Sequence, residues 1–215
     1  MLISLIDLIN KYNLTIKGII HIGAHYGQEY SSYVENNIKN LIFFEPLKNN
    51  YQALLNNIQL SDTVKAYNIA LGNTVGQIEM FVETANQGMS SSILEPVIHL
   101  KQYPSITFNN KEMVNIDRLD NITFNKEDFN MINIDVQGYE LEVFRGATDT
   151  LNHIDLIYGE VNREELYKNC TQVDELDAFL GTFGFKRSIT VWNGVTFGDA
   201  VYLKNDNNEK IIEIG

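Results

Sequence analysis

Four places in this sequence combine residue type and position in a way that permits chemistry: Gly23-Ala-His-Tyr-Gly27, Glu45-Pro46, Asp135-Val-Gln-Gly138 and Glu160-Val-Asn162. Each closes a short apolar run. In the first, Gly23 and Gly27 let the backbone approach a ligand with no side chain in the way. Their G-x-x-x-G spacing is not the G-x-G-x-x-G that wraps a dinucleotide pyrophosphate, so a ligand without a pyrophosphate fits better. Glu45 follows about 20 residues later, where open α/β sheets hydrogen-bond ribose hydroxyls. The competing reading is a strand-end Glu that caps the next helix. Asp135 ends the most apolar run; it could hold an ammonium group, act as a general base, or cap the helix beginning near Tyr139. Glu160 occupies the corresponding place one strand later, so the two carboxylates could converge on one pocket. Two good candidates are too few to expect a divalent metal site.

The remaining polar residues are weighed in the same way. His25, inside the glycine turn, either contacts a ligand or serves as a base with a titration range suited to neutral pH. His21, within a strand, reads as a hydrogen-bonded structural residue. His99 lies in an irregular stretch, either on the surface or within reach of an acceptor hydroxyl. His153 reads as structural, and Cys170 has no activating neighbour in sequence. Tyr26, Tyr139 and Trp192 are candidate pocket walls.

Strands alternating with helices must hold these residues. Apolar runs at 18–23, 41–44, 64–71 and 129–135, with 155–160, read as strands, and 26–37, 47–58, 139–151 and 173–183 read as helices. An amphipathic helix, with Leu2, Leu5, Ile6 and Ile9 at helical spacing, opens the chain within an N-terminal segment 1–17. Residues 77–82 read as a strand adding to the same sheet as a hairpin. Residues 185–192 and 199–203 close the chain as two strands with no helix between them, which predicts a mostly parallel sheet, helices on both faces, and one antiparallel edge strand. The stretch 83–125, with a short strand candidate around Met113–Ile116, is too long for a plain connection and is the candidate substrate-covering insertion, against a reading as a variable surface loop.

Composition narrows the function classes. A chain of 215 residues, 44% hydrophobic, predicts one domain over 1–215. Its net charge is −12, with 16 scattered Lys and Arg, which argues against nucleic acid and anionic membrane surfaces. One cysteine permits no intrachain disulfide and no Cys-based zinc site. No apolar stretch reaches the length of a membrane span. A cytoplasmic location is the expectation.

The blocks Ile20-His-Ile-Gly-Ala-His-Tyr-Gly-Gln-Glu29, Phe44-Glu-Pro46, Asn68-Ile-Ala-Leu-Gly72, Ser90-Ser-Ser92, Val114-Asn-Ile-Asp-Arg-Leu119 and Ile132-Asn-Ile-Asp-Val-Gln-Gly-Tyr-Glu-Leu-Glu-Val-Phe-Arg-Gly-Ala147 resemble, in order and spacing, the signature of FkbM-type methyltransferases. The resemblance covers residues 18–162. It implies a Rossmann-like class I methyltransferase fold of seven strands, S-adenosylmethionine as methyl donor, and O-methylation of a hydroxyl on a saccharide or other small metabolite. Carried over by residue, it places Gly23, Ala24, His25 and Gly27 along the methionine and ribose side of the donor and Glu45 on the ribose hydroxyls. Asn68 and Ala70 fall at the adenine edge, Asp135 with Val136 at the amino or sulfonium end, and Glu160 toward the acceptor. Asp135, Glu160 and His25 are thus the candidate catalytic residues. The chain departs from the family's usual Asp at His21, Asn at His25 and His at Asn162. A nicotinamide-dependent oxidoreductase is disfavoured by the missing G-x-G-x-x-G, and a non-catalytic binding module on the same fold is the remaining alternative.

Overall fold

The computed structural model describes residues 3–204 and 212–214. In chain order the elements are α1 (Leu5–Tyr12), β1 (Gly18–Ile22), α2 (Tyr30–Glu35), β2 (Asn40–Phe44), α3 (Lys48–Asn57), β3 (Val64–Tyr67), β4 (Ala70–Leu71) and β5 (Gly76–Val82). There follow α4 (Ile98–Gln102), β6 (Asn110–Asp117), β7 (Met131–Ile134), α5 (Glu140–Arg145), β8 (Leu156–Asn162), α6 (Val173–Gly181), β9 (Phe185–Asn193), β10 (Phe197–Lys204) and β11 (Ile212–Ile214). Leu2 of the expected N-terminal helix lies outside the described residues.

The main sheet runs β11-β9-β10-β8-β7-β1-β2-β3. Strand order reverses between β1 and β7, and ligands of open α/β sheets sit beyond the carboxyl ends of the strands at such a point. Because side chains alternate across a strand, β1 and β7 feed two cores at once. Ile20, Ile22, Ile132 and Ile134 pack on one face with Val143, Phe144, Leu176 and Leu180 of α5 and α6. Ile19, Leu41, Phe43 and Met131 pack on the other with Leu5 and Leu8 of α1 and Leu54 of α3. Coverage of both faces explains why these strands are apolar throughout rather than alternating.

Four expectations about the sheet need correction. It has eight strands among the described residues, not seven, the extra one being β11, parallel to β9. The antiparallel strand is not at an edge: β10 lies between β8 and β9 and pairs antiparallel with both. The crossover through α6 leaves one strand's width open beside β8, and the hairpin return fills it. The run 64–71 is not one strand, since β3 belongs to the main sheet while β4 pairs with β6. The cause is Asn68, whose Nδ2 donates to the Glu45 and Pro46 carbonyls at 2.9 and 2.8 Å and turns the chain out of the sheet. Strand β5 therefore joins a separate three-stranded sheet, β4-β6-β5, rather than extending the large one. Part of the expected insertion, 110–117, is thus sheet, and the irregular cover narrows to the stretch between β5 and β6. The helices expected at 26–37 and 139–151 are shorter, confined to α2 and α5.

Candidate active site

The first strand ends at Ile22, and its backbone then turns sharply. Gly23 adopts φ +77°, and a Cβ there would overlap the Asp135 carbonyl oxygen, so only glycine lets the ends of β1 and β7 come this close. Gly23 N and Ala24 N both donate to the Phe44 carbonyl, at 3.0 and 2.9 Å. His25 follows with φ 48°, which aims its N–H at Glu45 Oε2, 2.9 Å away. Leu47 N donates to Glu45 Oε1 at 2.9 Å. Glu45 therefore satisfies a backbone N–H beside the start of α3 and also lines a cavity. It is only 4% exposed, and burial pushes its carboxyl up to about 7 against the pull of those N–H groups.

That cavity is lined by apolar Phe44, Ile69, Ala70, Leu71 and Ile93 together with polar Gly23, His25, Glu45 and Asp135. An apolar lining with a few convergent polar groups is the pattern of a small-molecule site. The segment after β5 roofs it: Gly88, Met89 and Ser91 contribute to the wall. Glu83 holds this roof by accepting from Asn86 N and, at 2.8 Å, from Gly88 N. The Gln87 carbonyl accepts from His25 Nε2 at 2.8 Å and from the Tyr26 hydroxyl at 3.2 Å. His25 Nδ1 in turn accepts from Gln28 Nε2 at 2.8 Å. Both ring nitrogens thus have protein partners, and His25 lines the cavity.

A second cavity adjoins the first and shares Met89, Asp135 and Gln137 with it. Glu160, His99, Tyr103, Asn193 and Phe197 supply other walls. Asp135 and Glu160 are joined by one side chain: Gln137 Nε2 donates to Asp135 Oδ1 at 2.7 Å and to Glu160 Oε2 at 3.2 Å. Gln137 reaches back to them because its own φ is 53°, and Ser92 Oγ pins its carbonyl at 2.8 Å. Glu140 steadies the same turn, its Oε1 accepting from Val136 N and Gly138 N at 3.2 and 3.1 Å. Burial raises every carboxyl of this group, Asp135 to about 6, Glu140 to about 7 and Glu160 well above its ordinary value. Two buried polar atoms, Glu160 Oε1 and His99 Nδ1, have no partner. Both belong to residues that line the second cavity.

The structure thus brings together Gly23, His25, Glu45, Ala70, Asp135 and Val136 around the first cavity, with Glu160 facing the second across Asp135. It does not bring Ala24, Gly27 or Asn68 to either lining. Ala24 is buried in the core, a Cβ on Gly27 would press on Leu54 of α3, and Asn68 shapes the Glu45 loop from behind. Tyr26, Tyr139 and Trp192 are not cavity walls either; Trp192 lies under the Arg163 guanidinium, 3.5 Å from the ring centroid. His21 is structural, as expected: it is buried with Tyr33 and Asn133 in a hydrogen-bonded cluster, and burial lowers its pKa. Among the described residues no three His, Cys, Asp or Glu side chains are placed to hold a metal ion, and no helix is long and apolar enough to cross a membrane.

Gln137, Met89 and Tyr167 were not foreseen. Gln137 sat in a flagged turn, where its backbone role masked its side chain. The Tyr167 hydroxyl lies 2.8 Å from Gln137 Oε1 and 2.7 Å from the Ser90 carbonyl, contacts across the fold that leave no local periodicity.

Comparison with known proteins identifies the family and the fold. The sequence profile of the methyltransferase FkbM domain matches residues 21–187. A 2-O-methyltransferase, NoeI, of Sinorhizobium fredii strain NGR234 is 27% identical over 158 residues, 70% of this chain and 65% of that protein. The chain therefore spans less than two thirds of this relative's length. Among solved structures, methyltransferase FkbM from Methylobacillus flagellatus superposes with TM-score 0.60 at 13% identity, covering 86% of this chain and 43% of that one. Magnesium protoporphyrin IX methyltransferase from Synechocystis PCC 6803, solved with bound S-adenosylmethionine, gives 0.52 at 8% identity over 93% of this chain and 75% of that one. At these identities the structural likeness concerns the fold.

Proposed function

This chain belongs to the methyltransferase FkbM family, and from that premise we propose that it is an S-adenosylmethionine-dependent O-methyltransferase acting on a hydroxyl of a saccharide or similar small polyol. The observation that carries the reading is the junction at Asp135, where the cavity floored by Gly23 and Glu45 meets the one walled by Glu160 and His99. One cavity is matched to a donor and the other to an acceptor. The relative's description as a 2-O-methyltransferase supports oxygen as the methylated atom.

Bound in the first cavity, the donor would supply an electrophilic methyl group on a sulfonium. Glu45 is placed to accept from two vicinal hydroxyls, because each of its oxygens keeps a lone pair beyond the N–H it already holds. Phe44, Ile69 and Leu71 offer apolar surface for a flat ring. Asp135 stands where the cavities join and Glu160 beyond it, so the acceptor oxygen is held between carboxylates that can take its proton. Alignment and exclusion of water then do most of the work in such a displacement. Neither cavity is lined by Lys or Arg among the described residues, which favours an acceptor that is uncharged at the reacting ring.

Calorimetric titration with S-adenosylmethionine, S-adenosylhomocysteine and NAD tests the donor half. Micromolar binding of both sulfur ligands and none of NAD is expected; no binding of either sulfur ligand would overturn the reading. Methyl-labelled donor offered with neutral methyl glycosides, their 6-phosphates and the matching uronates tests the acceptor half. Label on a neutral glycoside oxygen is expected, and label on nitrogen or carbon acceptors alone would replace O-methylation.

A further inference from the structure

Across the two joined cavities the ionisable wall residues are Glu45, Asp135, Glu160, His25, His99 and Tyr103. Asp135 and Glu160 form a pair bridged by the Gln137 amide, with Glu160 Oε1 buried and unpartnered. The groups facing this pair from neighbouring elements are also acidic: Asp199 on β10, Glu140 at the start of α5, Glu29 before α2, and the Tyr167 phenol. Two buried carboxylates bridged by one amide do not both ionise readily, and they titrate as a unit. Burial first, and then repulsion between the two, holds Glu160 well above the carboxylate range. With no Lys or Arg among the described residues of either cavity wall to neutralise them, two buried carboxylates that share one amide are the place in this site most ready to hold a proton.

We propose that the Asp135–Glu160 pair exchanges one proton for the positive charge of the donor, releasing it when a sulfonium ligand enters the adjoining cavity and regaining one from the acceptor hydroxyl at methyl transfer. This rests on the methyl-donor reading above. In the transfer the carbon–sulfur bond breaks with its electrons left on sulfur. A carbon–oxygen bond forms, and the acceptor O–H proton passes to a carboxylate oxygen of the pair. The chamber loses one positive and one negative charge together, so its net charge is unchanged through the step. Entry of the next cationic ligand sends that proton to solvent.

Gln137 suits both states. The Tyr167 hydroxyl has one hydrogen for two acceptors, Ser90 O and Gln137 Oε1. With the Gln137 NH₂ facing the carboxylates, as observed, the oxygens turned to it accept, and a proton held by the pair sits on an outer oxygen such as the unpartnered Glu160 Oε1. With the pair protonated, the amide can turn over, its oxygen accepting from the carboxyl O–H and its NH₂ donating to the Tyr167 oxygen.

The experiment needs no acceptor. Binding of S-adenosylmethionine and S-adenosylhomocysteine is measured by calorimetry at pH 7 in phosphate and in imidazole, whose different ionisation enthalpies count the protons exchanged. Release of roughly half to one proton with the sulfonium ligand and none with the thioether is expected, with sulfonium affinity falling up to about tenfold per pH unit toward pH 5.5. In Glu160→Gln the release disappears while both ligands still bind. Equal proton counts for the two ligands, or release that persists in Glu160→Gln, would overturn the proposal and leave the methyl-donor reading standing. If neither ligand binds the wild type, both readings fall. Should the variant not fold, ¹³C carboxyl shifts of wild-type Glu160 decide: ionisation on adding the sulfonium ligand but not the thioether is expected, and the same shift with both, or none, overturns it.

Discussion

Removing the Gln137 amide would leave two buried carboxylates facing each other with no donor between them. Gln137→Ala is accordingly expected to bind the methyl donor with altered pH dependence, while its far-UV spectrum is unchanged. Glu45→Gln tests a different carboxylate, at pH 8 where the wild-type group is ionised: each charge-assisted hydrogen bond to a ligand hydroxyl contributes about 1.5–3 kcal/mol. Affinity for both sulfur ligands should then fall by roughly ten- to a hundredfold in calorimetry. Gly23→Ala forces a Cβ into the Asp135 carbonyl and demands a positive φ. A loss of about 3 kcal/mol or more in urea unfolding is expected. At this scale the legible residues were those whose chemistry follows from standing at a strand end, namely Gly23, Glu45, Asp135 and Glu160. Gln137 and Tyr167 were not legible, because their roles come from partners in other elements. His99 was visible as a candidate, but its burial against Tyr103, Phe108 and Tyr167 follows from the path of the covering segment.

Elements were easier to read than their assembly. Apolar runs located every strand from β1 to β3 and from β7 to β10, since a strand covered on both faces must be apolar. Which strands share a sheet is set by side chains such as Asn68, which breaks β3 from β4, and by the width left open at β10. The far side of the sheet depends on a polar anchor. Arg187 of β9, 7% exposed at its side chain, donates to Asp177 of α6 from Nε and Nη2, at 3.0 Å each to its nearest oxygens. Tyr202 of β10 donates to the same Asp177 at 2.7 Å. Arg187→Ala strands that carboxylate and should cost about 3 kcal/mol, the lower end for a buried pair because Asp177 is partly wet. Chemical denaturation with an unchanged m-value would show it. Ile132→Ala, in the centre of β7, should cost about 2–5 kcal/mol by the cavity it leaves.

The whole molecule carries its raised carboxyls as a pH signature. Glu45 and Glu140 at about 7 and Asp135 at about 6 bind protons in the folded state that the unfolded chain, near 4–4.5, has already lost. Their stabilising protonation is complete below the unfolded values and is lost as pH rises through the folded ones. The ligand-free protein should therefore melt at a higher temperature at pH 5.5 than at pH 8, by a differential of about 1.4 kcal/mol per linked proton per pH unit. A net charge of −12 pushes the same way. A melting temperature that rises toward pH 8 would contradict this. The interior position of β10 also has a bearing on biosynthesis. Strand β8 carries Glu160, yet its second edge is closed only by β10, where Asp199 pairs opposite Glu160. On a chain emerging from the ribosome, Glu160 waits on an open edge until α6, β9 and β10 have followed. The acidic pocket is thus among the last parts of the molecule to be sealed, and a nascent chain halted ahead of Phe197 would expose both its charge and an unpaired strand to whatever chaperone stands nearby.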